Sequence, residues 1–296
     1  NIINTGGKIY SSWDMLKLEI PDVLFVSGWK YKEFKSLINY SKSKKIKIVS
    51  MIDNNEKKNF RQLIGKYIFN TFFKNNFDAY WVPGESSKKL LQSYGIKKGI
   101  FKSLYSINSK LFYCKKNINK RSNNFIFVGQ MIQRKNINLL VSVFKKIFVQ
   151  YRHHKLFIIT NNYKKNIIPT KFKKNFIIKK NLSPEAINSN FNLNKYFIFL
   201  SKDDHWPLSV MESLSAGNVL ILSKKIGNYL ELKKTNNIFL KDFNPNNIYK
   251  KIIEVMNFDQ KKLSKISEKN LKFSKKFALN SNLLAFIDII KYLDAK

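Results

Sequence analysis

Short apolar runs alternate along this chain with stretches whose apolar positions recur every three or four residues. That alternation is the pattern of parallel strands joined by amphipathic helices. In the first part Val23–Val26, Lys47–Met51 and Ala79–Val82 read as buried strands, the last closed by Pro83-Gly84. Helical spacing predicts helices over Tyr31–Ser43, Arg61–Phe73 and Ser86–Tyr94, with Gly95 as the last one's stop. A polar stretch without periodicity then runs through "KKNINKRSNN" and marks 111–124 as a linker. A second series follows, with strands predicted at Phe125–Val128, Leu156–Thr160, Phe176–Ile178, Phe197–Leu200 and Val219–Leu222. Its helices fall at "NINLLVSVFKKIFVQYR", Leu208–Ala216, Asn246–Met256 and Leu283–Leu293.

The series predicts an α/β protein of two doubly wound, Rossmann-type domains facing a cleft, 1–110 and 125–280, with ligands at the carboxyl ends of the strands. Residues 281–296 are expected to form a terminal helix that crosses back to the first domain. A length of 296 residues suits two domains. The 25 Phe and 14 Tyr give both of them material for a core. No apolar run approaches the roughly 18–20 residues of a membrane-spanning helix, and no signal-like apolar run opens the chain. A single cysteine, Cys114, excludes an internal disulfide and a cysteine zinc cluster.

Charge changes the picture only in part. Lys+Arg number 55 against 19 Asp+Glu, a net charge of +36. Only four of the basic residues are Arg (Arg61, Arg121, Arg134 and Arg152). Arg is the usual bidentate reader of bases and phosphates, so a lysine excess in an Asn- and Ile-rich chain looks compositional and argues against specific nucleic-acid binding. Such a surface still attracts an anionic membrane face. The expected location is the cytoplasm, with peripheral attachment to the inner face of the membrane as a secondary expectation.

The segment with most chemistry is "FIFLSKDDHWPLSVMESLSAG", Phe197 to Gly217. A strand leads into a polar loop and Pro207 opens a helix, whose first amide hydrogens favour an anion such as a phosphate. Asp204 precedes that terminus and Glu212 lies five residues past Pro207, roughly 7.5 Å along the axis. The two carboxylates can accept from the hydroxyls of one elongated ligand, as sugars and riboses are. Read alone, Glu212 is an ordinary helix carboxylate and Lys135 one of many surface lysines. Asp203-Asp204-His205 lacks the partner cluster a metal site needs. No metal and no cofactor is expected.

The same segment, as "DHWPLSVMESLSAG", resembles the acidic-x7-Glu signature of family 4 glycosyltransferases, enzymes of the GT-B fold. "FIFVGQMIQRKNINLLVSVF", Phe125 to Phe144, is similar to that family's "FLFVGRLVPEKGVDLLIEAF". The resemblance is good from about Asn123 to Met256 and weaker in the first half, through "PDVLFVSGW" and "FDAYWVPGESSKKLLQSYGI". It implies transfer of a sugar from a nucleoside-diphosphate donor to an acceptor hydroxyl with retention at the anomeric carbon. Cell-surface glycan or polysaccharide synthesis, with a glycan or lipid-linked acceptor, is the implied setting. Glu212 would hold the donor's ribose, and Asp204 the transferred sugar. Lys135 would neutralise the departing diphosphate, a cation placed where charge develops. The amides after Asp204, with Trp206, Pro207, Leu208 and Ser209, would line the donor.

This chain departs from the family pattern at several places. The family's Arg is Gln130 here, with Arg134 as its candidate substitute. The Gly after Lys135 is Asn136, and the Gly-rich turn has become Thr160-Asn161-Asn162. In place of the His that follows the family's strand stands "SMIDNNEK", so Asp53 is the catalytic candidate there. Asn54 and Trp29 are the acceptor-side candidates. No leading strand or glycine-rich loop is recognisable before Pro21, so the first domain is expected to lack its opening strand. These departures define the alternative, a GT-B relative that binds a nucleotide sugar or polyanion without turnover.

Overall fold

The structure is a computed structural model that describes residues 20–27, 32–163 and 167–295. The chain divides into two compact units, one running to Leu104 and resuming at Asn282, the other Tyr105–Ser281.

The first unit carries β1 (Val23–Val26), α1 (Lys32–Ser43), β2 (Lys47–Met51), α2 (Phe60–Phe72), β3 (Ala79–Trp81), α3 (Glu85–Ser93) and β4 (Ile100–Phe101). Its sheet is parallel in the order β1-β2-β3-β4. On one side Phe69 and Phe73 from the α2 region join Ile48, Leu90 and Leu91 in a core.

In the second unit come β5 (Ser122–Val128), α4 (Ile137–Gln150), β6 (Leu156–Thr160), β7 (Phe176–Lys180), α5 (Pro184–Leu193), β8 (Asn194–Phe199) and α6 (Leu208–Ser215). They are followed by β9 (Val219–Ser223), α7 (Tyr229–Leu232), β10 (Ile238–Leu240), α8 (Pro245–Met256) and α9 (Gln260–Ser274). The sheet order is β10-β9-β8-β5-β6-β7, all parallel. Strands buried on both faces are built from continuous apolar runs such as "VLILS" of β9, in which every residue is buried. The order reverses between β5 and β8. At such a switch point the loops leaving adjacent strands diverge and leave a crevice at their carboxyl ends.

The last helix, α10 (Leu279–Asp294), serves the first unit. Ile289 and Leu293 are buried with Val49, Ala79 and Trp81 on the second side of the first sheet. Phe286 stacks on Phe25 at 5.5 Å, and Asn282 Nδ2 donates to the carbonyls of Ser103 and Leu104, each at 2.9 Å.

The stretch expected as a linker is packed structure instead. Residues 105–124 belong to the second unit, with Phe112 and Ile118 in its core and β5 starting at Ser122. Asn192 holds it down, accepting from the amides of Lys115 (2.6 Å) and Lys116 (3.2 Å) and donating to the carbonyl of Tyr113 (3.0 Å). A polar stretch mimics a linker when its backbone is tied by side-chain amides. The expected missing strand before Pro21 lies outside the described residues.

Candidate functional site

The two loops at the switch point carry the charged residues singled out from sequence. After β5 the chain passes Gly129, at φ +155°, where an added Cβ would lie 3.3 Å from the ring of Phe127. A 3-10 turn, Gln133–Lys135, then leads into α4. Asn136 ends that turn at φ 60°, ψ 37°. This is the left-handed region, which Asn tolerates better than other residues bearing a Cβ. Asn136, in the place of the family's Gly, thus takes a backbone conformation that Gly also allows. The altered Thr160-Asn161-Asn162 turn is likewise compensated: Asn162 Oδ1 accepts from the Met131 amide at 2.7 Å and fastens the β5–α4 loop.

The loop after β8 is stapled to that turn. Ser201 Oγ lies 2.9 Å from the carbonyl oxygen of Arg134, which also accepts from the Lys202 amide at 2.8 Å. Arg134 Nη1 donates to the carbonyl of Asp203 at 3.2 Å. On its other side, the carbonyl of Asp204 accepts from the Gly227 amide at 2.8 Å. Asp204 is 6% exposed, and its carboxylate faces two cations: Arg134 Nη1 at 3.3 Å on Oδ1 and Lys135 Nζ on Oδ2. Lys135 is 9% exposed and its ammonium lies 4.7 Å over the Phe199 ring. Burial pulls its pKa below the usual lysine value, with Asp204 opposing and Arg134 adding to the shift.

Helix α6 begins beside this cluster. Pro207 is its N-cap and offers no side-chain acceptor, so no cap takes the amide hydrogens of Leu208 and Ser209. Glu212, one turn further on, is half-buried, and desolvation is the one influence acting on its carboxyl among the described residues. Desolvation raises its pKa to about 7. A recess of about 260 Å³ opens at the ends of β5 and β6, lined by Gly129, Gln130, Thr160 and Asn161 together with Asn181 and Leu182 after β7.

The structure thus brings Arg134, Lys135 and Asp204 together at the switch point, with Leu208, Ser209 and Glu212 on the adjoining helix and Gln130 in the recess. Trp206 is 7% exposed and its indole packs on Phe277, with ring centroids 6.1 Å apart. Asp53 and Asn54 follow β2 in the first unit, where the Asp53 carbonyl accepts from Ser87 Oγ at 3.3 Å. Trp29 lies outside the described residues. Among the described residues no three His, Cys, Asp or Glu side chains gather as a metal site.

Sequence reasoning missed Ser201, Asn162 and Arg121. Arg121 is 3% exposed and donates to the carbonyl of Ala216 (2.7 Å), which caps the carboxyl end of α6, and to that of Phe191 (3.2 Å). It sits inside the polar stretch read as a linker, and only its being one of four arginines among 51 lysines set it apart.

Two Rossmann-like units with parallel sheets and a polar switch-point cluster define a GT-B-type fold. Residues 112–273, more than half the chain, match the family model for glycosyl transferases group 1, and the chain belongs to that family. The solved structures similar to it include sucrose-phosphate synthase from Thermosynechococcus elongatus (TM-score 0.73, 13% identity, 93% of this chain and 74% of that one). A TarM mutant from S. aureus in complex with fondaparinux, alpha-GlcNAc-glycerol and UDP gives TM-score 0.65 at 16% identity over 82% of this chain. Anabaena HepE with UDP and glucose gives 0.70 at 10% identity, over 93% of this chain and 78% of that one. At these identities the likeness is one of fold, and the chain spans half the length of the TarM structure. Among curated proteins none matches.

Proposed function

We propose that this chain moves a sugar from a nucleoside-diphosphate sugar to an acceptor hydroxyl, in the manner of family 4 glycosyltransferases, with retention at the anomeric carbon and no metal. The observation that carries this reading is the Asp204 cluster, in which one buried acid lies between two cations beside an uncapped helix terminus. A diphosphate bound there meets Lys135, Arg134 and the amides of Leu208 and Ser209. These groups stabilise the charge that grows on the leaving group as the glycosidic bond breaks. In this proposal Asp204 holds the cations in place before the donor arrives and then accepts from a hydroxyl of the sugar. Glu212, ionised, accepts from the ribose hydroxyls. The recess beside Gln130 and Asn161 takes the base. Gln130 leaves one family cation absent, and Arg134 supplies a positive charge within the same cluster. The acceptor, a glycan or lipid-linked glycan, is assigned to the first unit, with Asp53 and Asn54 as its contacts.

UDP-sugars are the first donors to test, because the TarM and HepE structures hold UDP. Thermal-shift screening of the full chain against a panel of nucleotide sugars should find one that raises Tm. That donor should then give nucleoside diphosphate release with and without EDTA, and NMR of the product should show the donor's anomeric configuration. Stabilisation without release would support the binding-only reading. No shift and no release with any donor would overturn both.

A further inference from the structure

We propose that the outer face of α2 is an anchor that lies flat in the interface of an anionic lipid bilayer. Phe69 of this helix is fully buried and Phe73 follows it into the core. At about 100° per residue, the opposite side of the helix carries Phe60, Leu63, Ile64, Tyr67 and Ile68. These side chains are open to solvent, Phe60 at 76%, Tyr67 at 72% and Leu63 at 64%, and Phe72 at the end of the helix adds 63%. A helix apolar on both sides is normally buried on both sides. A contiguous row of large exposed apolar groups, unlike scattered ones, marks a surface that something covers.

The rim says what covers it. From Lys57 to Phe77 the chain has five basic residues (Lys57, Lys58, Arg61, Lys66 and Lys74) and none acidic. All five are exposed. A second copy of this chain would bring the same positive rim against itself, so like charge disfavours self-association. A bilayer surface with anionic headgroups meets both features: the apolar row enters the acyl boundary while the basic rim stays among the phosphates. The helix is fixed by its buried side and, at 13 residues, is far shorter than the roughly 20 residues of a spanning helix. It therefore lies on the membrane.

The test uses the full chain sedimented with vesicles of phosphatidylcholine alone and of phosphatidylcholine with phosphatidylglycerol, at low and high NaCl. Binding to the anionic vesicles is expected, with a part that survives high salt. The variant Leu63→Gln/Tyr67→Gln/Ile68→Gln keeps the charge and should lose the salt-resistant part. Its partition should fall at least about tenfold, since full burial of even one large apolar side chain is worth about that much. Melting temperature reports whether the variant folds, and Tyr67→Gln alone serves if the triple variant does not. Lys57→Gln/Lys58→Gln/Lys66→Gln should weaken anionic binding more than Lys261→Gln/Lys265→Gln/Lys269→Gln on α9, which removes equal charge elsewhere. The proposal fails if wild type ignores anionic vesicles, if the apolar variant partitions like wild type, or if both lysine variants act alike. It also fails if light scattering shows a dimer that the apolar variant splits. No readout involves a sugar donor, so this result and the glycosyl-transfer reading stand or fall separately.

Discussion

At the scale of single residues, Glu212 makes the sharpest prediction. Its folded pKa of about 7 lies above that of an exposed carboxylate, so the folded chain holds this proton more tightly than the unfolded one. The associated stability is present below the unfolded pKa and is lost as pH rises toward 7, after which it stays flat. Glu212→Gln should remove that slope and melt higher than wild type at pH 8. For the donor the sign is opposite, because ribose hydroxyls need the ionised acceptor. Donor affinity measured by calorimetry should rise from pH 6 to pH 8 in wild type and stay level in Glu212→Gln. Glu212→Ala should raise donor KM by roughly tenfold to a hundredfold, the worth of hydrogen bonds to a charged group. Lys135→Ala should lower kcat by about a hundredfold or more if it faces charge developing on the leaving group. A kcat within twofold of wild type would remove it from that role. Asn136 illustrates what a motif comparison alone misjudges. It stands where the family has Gly, and it holds a left-handed backbone that Gly also allows. Asn136→Gly should be close to neutral in urea denaturation, whereas Asn136→Val should cost about 1–2 kcal/mol.

At the scale of elements, α6 depends at its carboxyl end on a residue far away in sequence. Its carboxyl end rests on Arg121 through Ala216. Arg121→Ala leaves the buried Ala216 carbonyl without this donor, while the Phe191 carbonyl keeps Asn218 Nδ2 at 2.9 Å, and should cost about 1–3 kcal/mol. Arg121→Lys cannot reach both Ala216 and Phe191 and should recover only part of that, as read by denaturant midpoint. Strands such as Val219–Leu222 and Leu156–Thr160 were legible because burial on both faces demands a nearly unbroken apolar run. Helices α5 and α9 were not, because their buried sides are largely polar. α5 buries Asn188, Asn190 and Asn192, and α9 buries Ser267, Asn270 and Ser274 beside Leu263 and Ile266. Asn270 is paired there, donating to the Asn218 carbonyl at 2.7 Å. An apolar-period test cannot see a helix face satisfied by hydrogen bonds. The loops after β5 and β8 were legible since charge and turn residues cluster in them. The stapling by Ser201 and Asn162 was not, since it pairs side chains with backbone far away in sequence.

For the whole molecule, the +36 net charge is the dominant long-range term. Like charges spread over one surface repel, and the Debye length falls to about 10 Å at 0.1 M salt. The melting temperature should therefore rise as NaCl increases from low to moderate concentration. A flat response would mean that the lysines are too dispersed to matter. The division into two units was legible in outline, while the boundary fell earlier than composition suggested. Polarity alone does not distinguish a loose connector from a stretch pinned by Asn192 and Arg121.

The return of α10 to the first unit has a consequence for biosynthesis. Among the described residues, the side of the first sheet carrying Val49, Ala79 and Trp81 is closed by α10, whose Ile289 and Leu293 are buried there and follow the whole second unit in sequence. Most chains built from successive domains mature in the order in which they leave the ribosome. Here the first unit has to wait for α10, which follows the second unit in sequence, while the second unit can finish before it. A chain cut back to Ser281 should show Tyr105–Ser281 protected from protease and the earlier segment cleaved, whereas a chain that includes α10 should protect both.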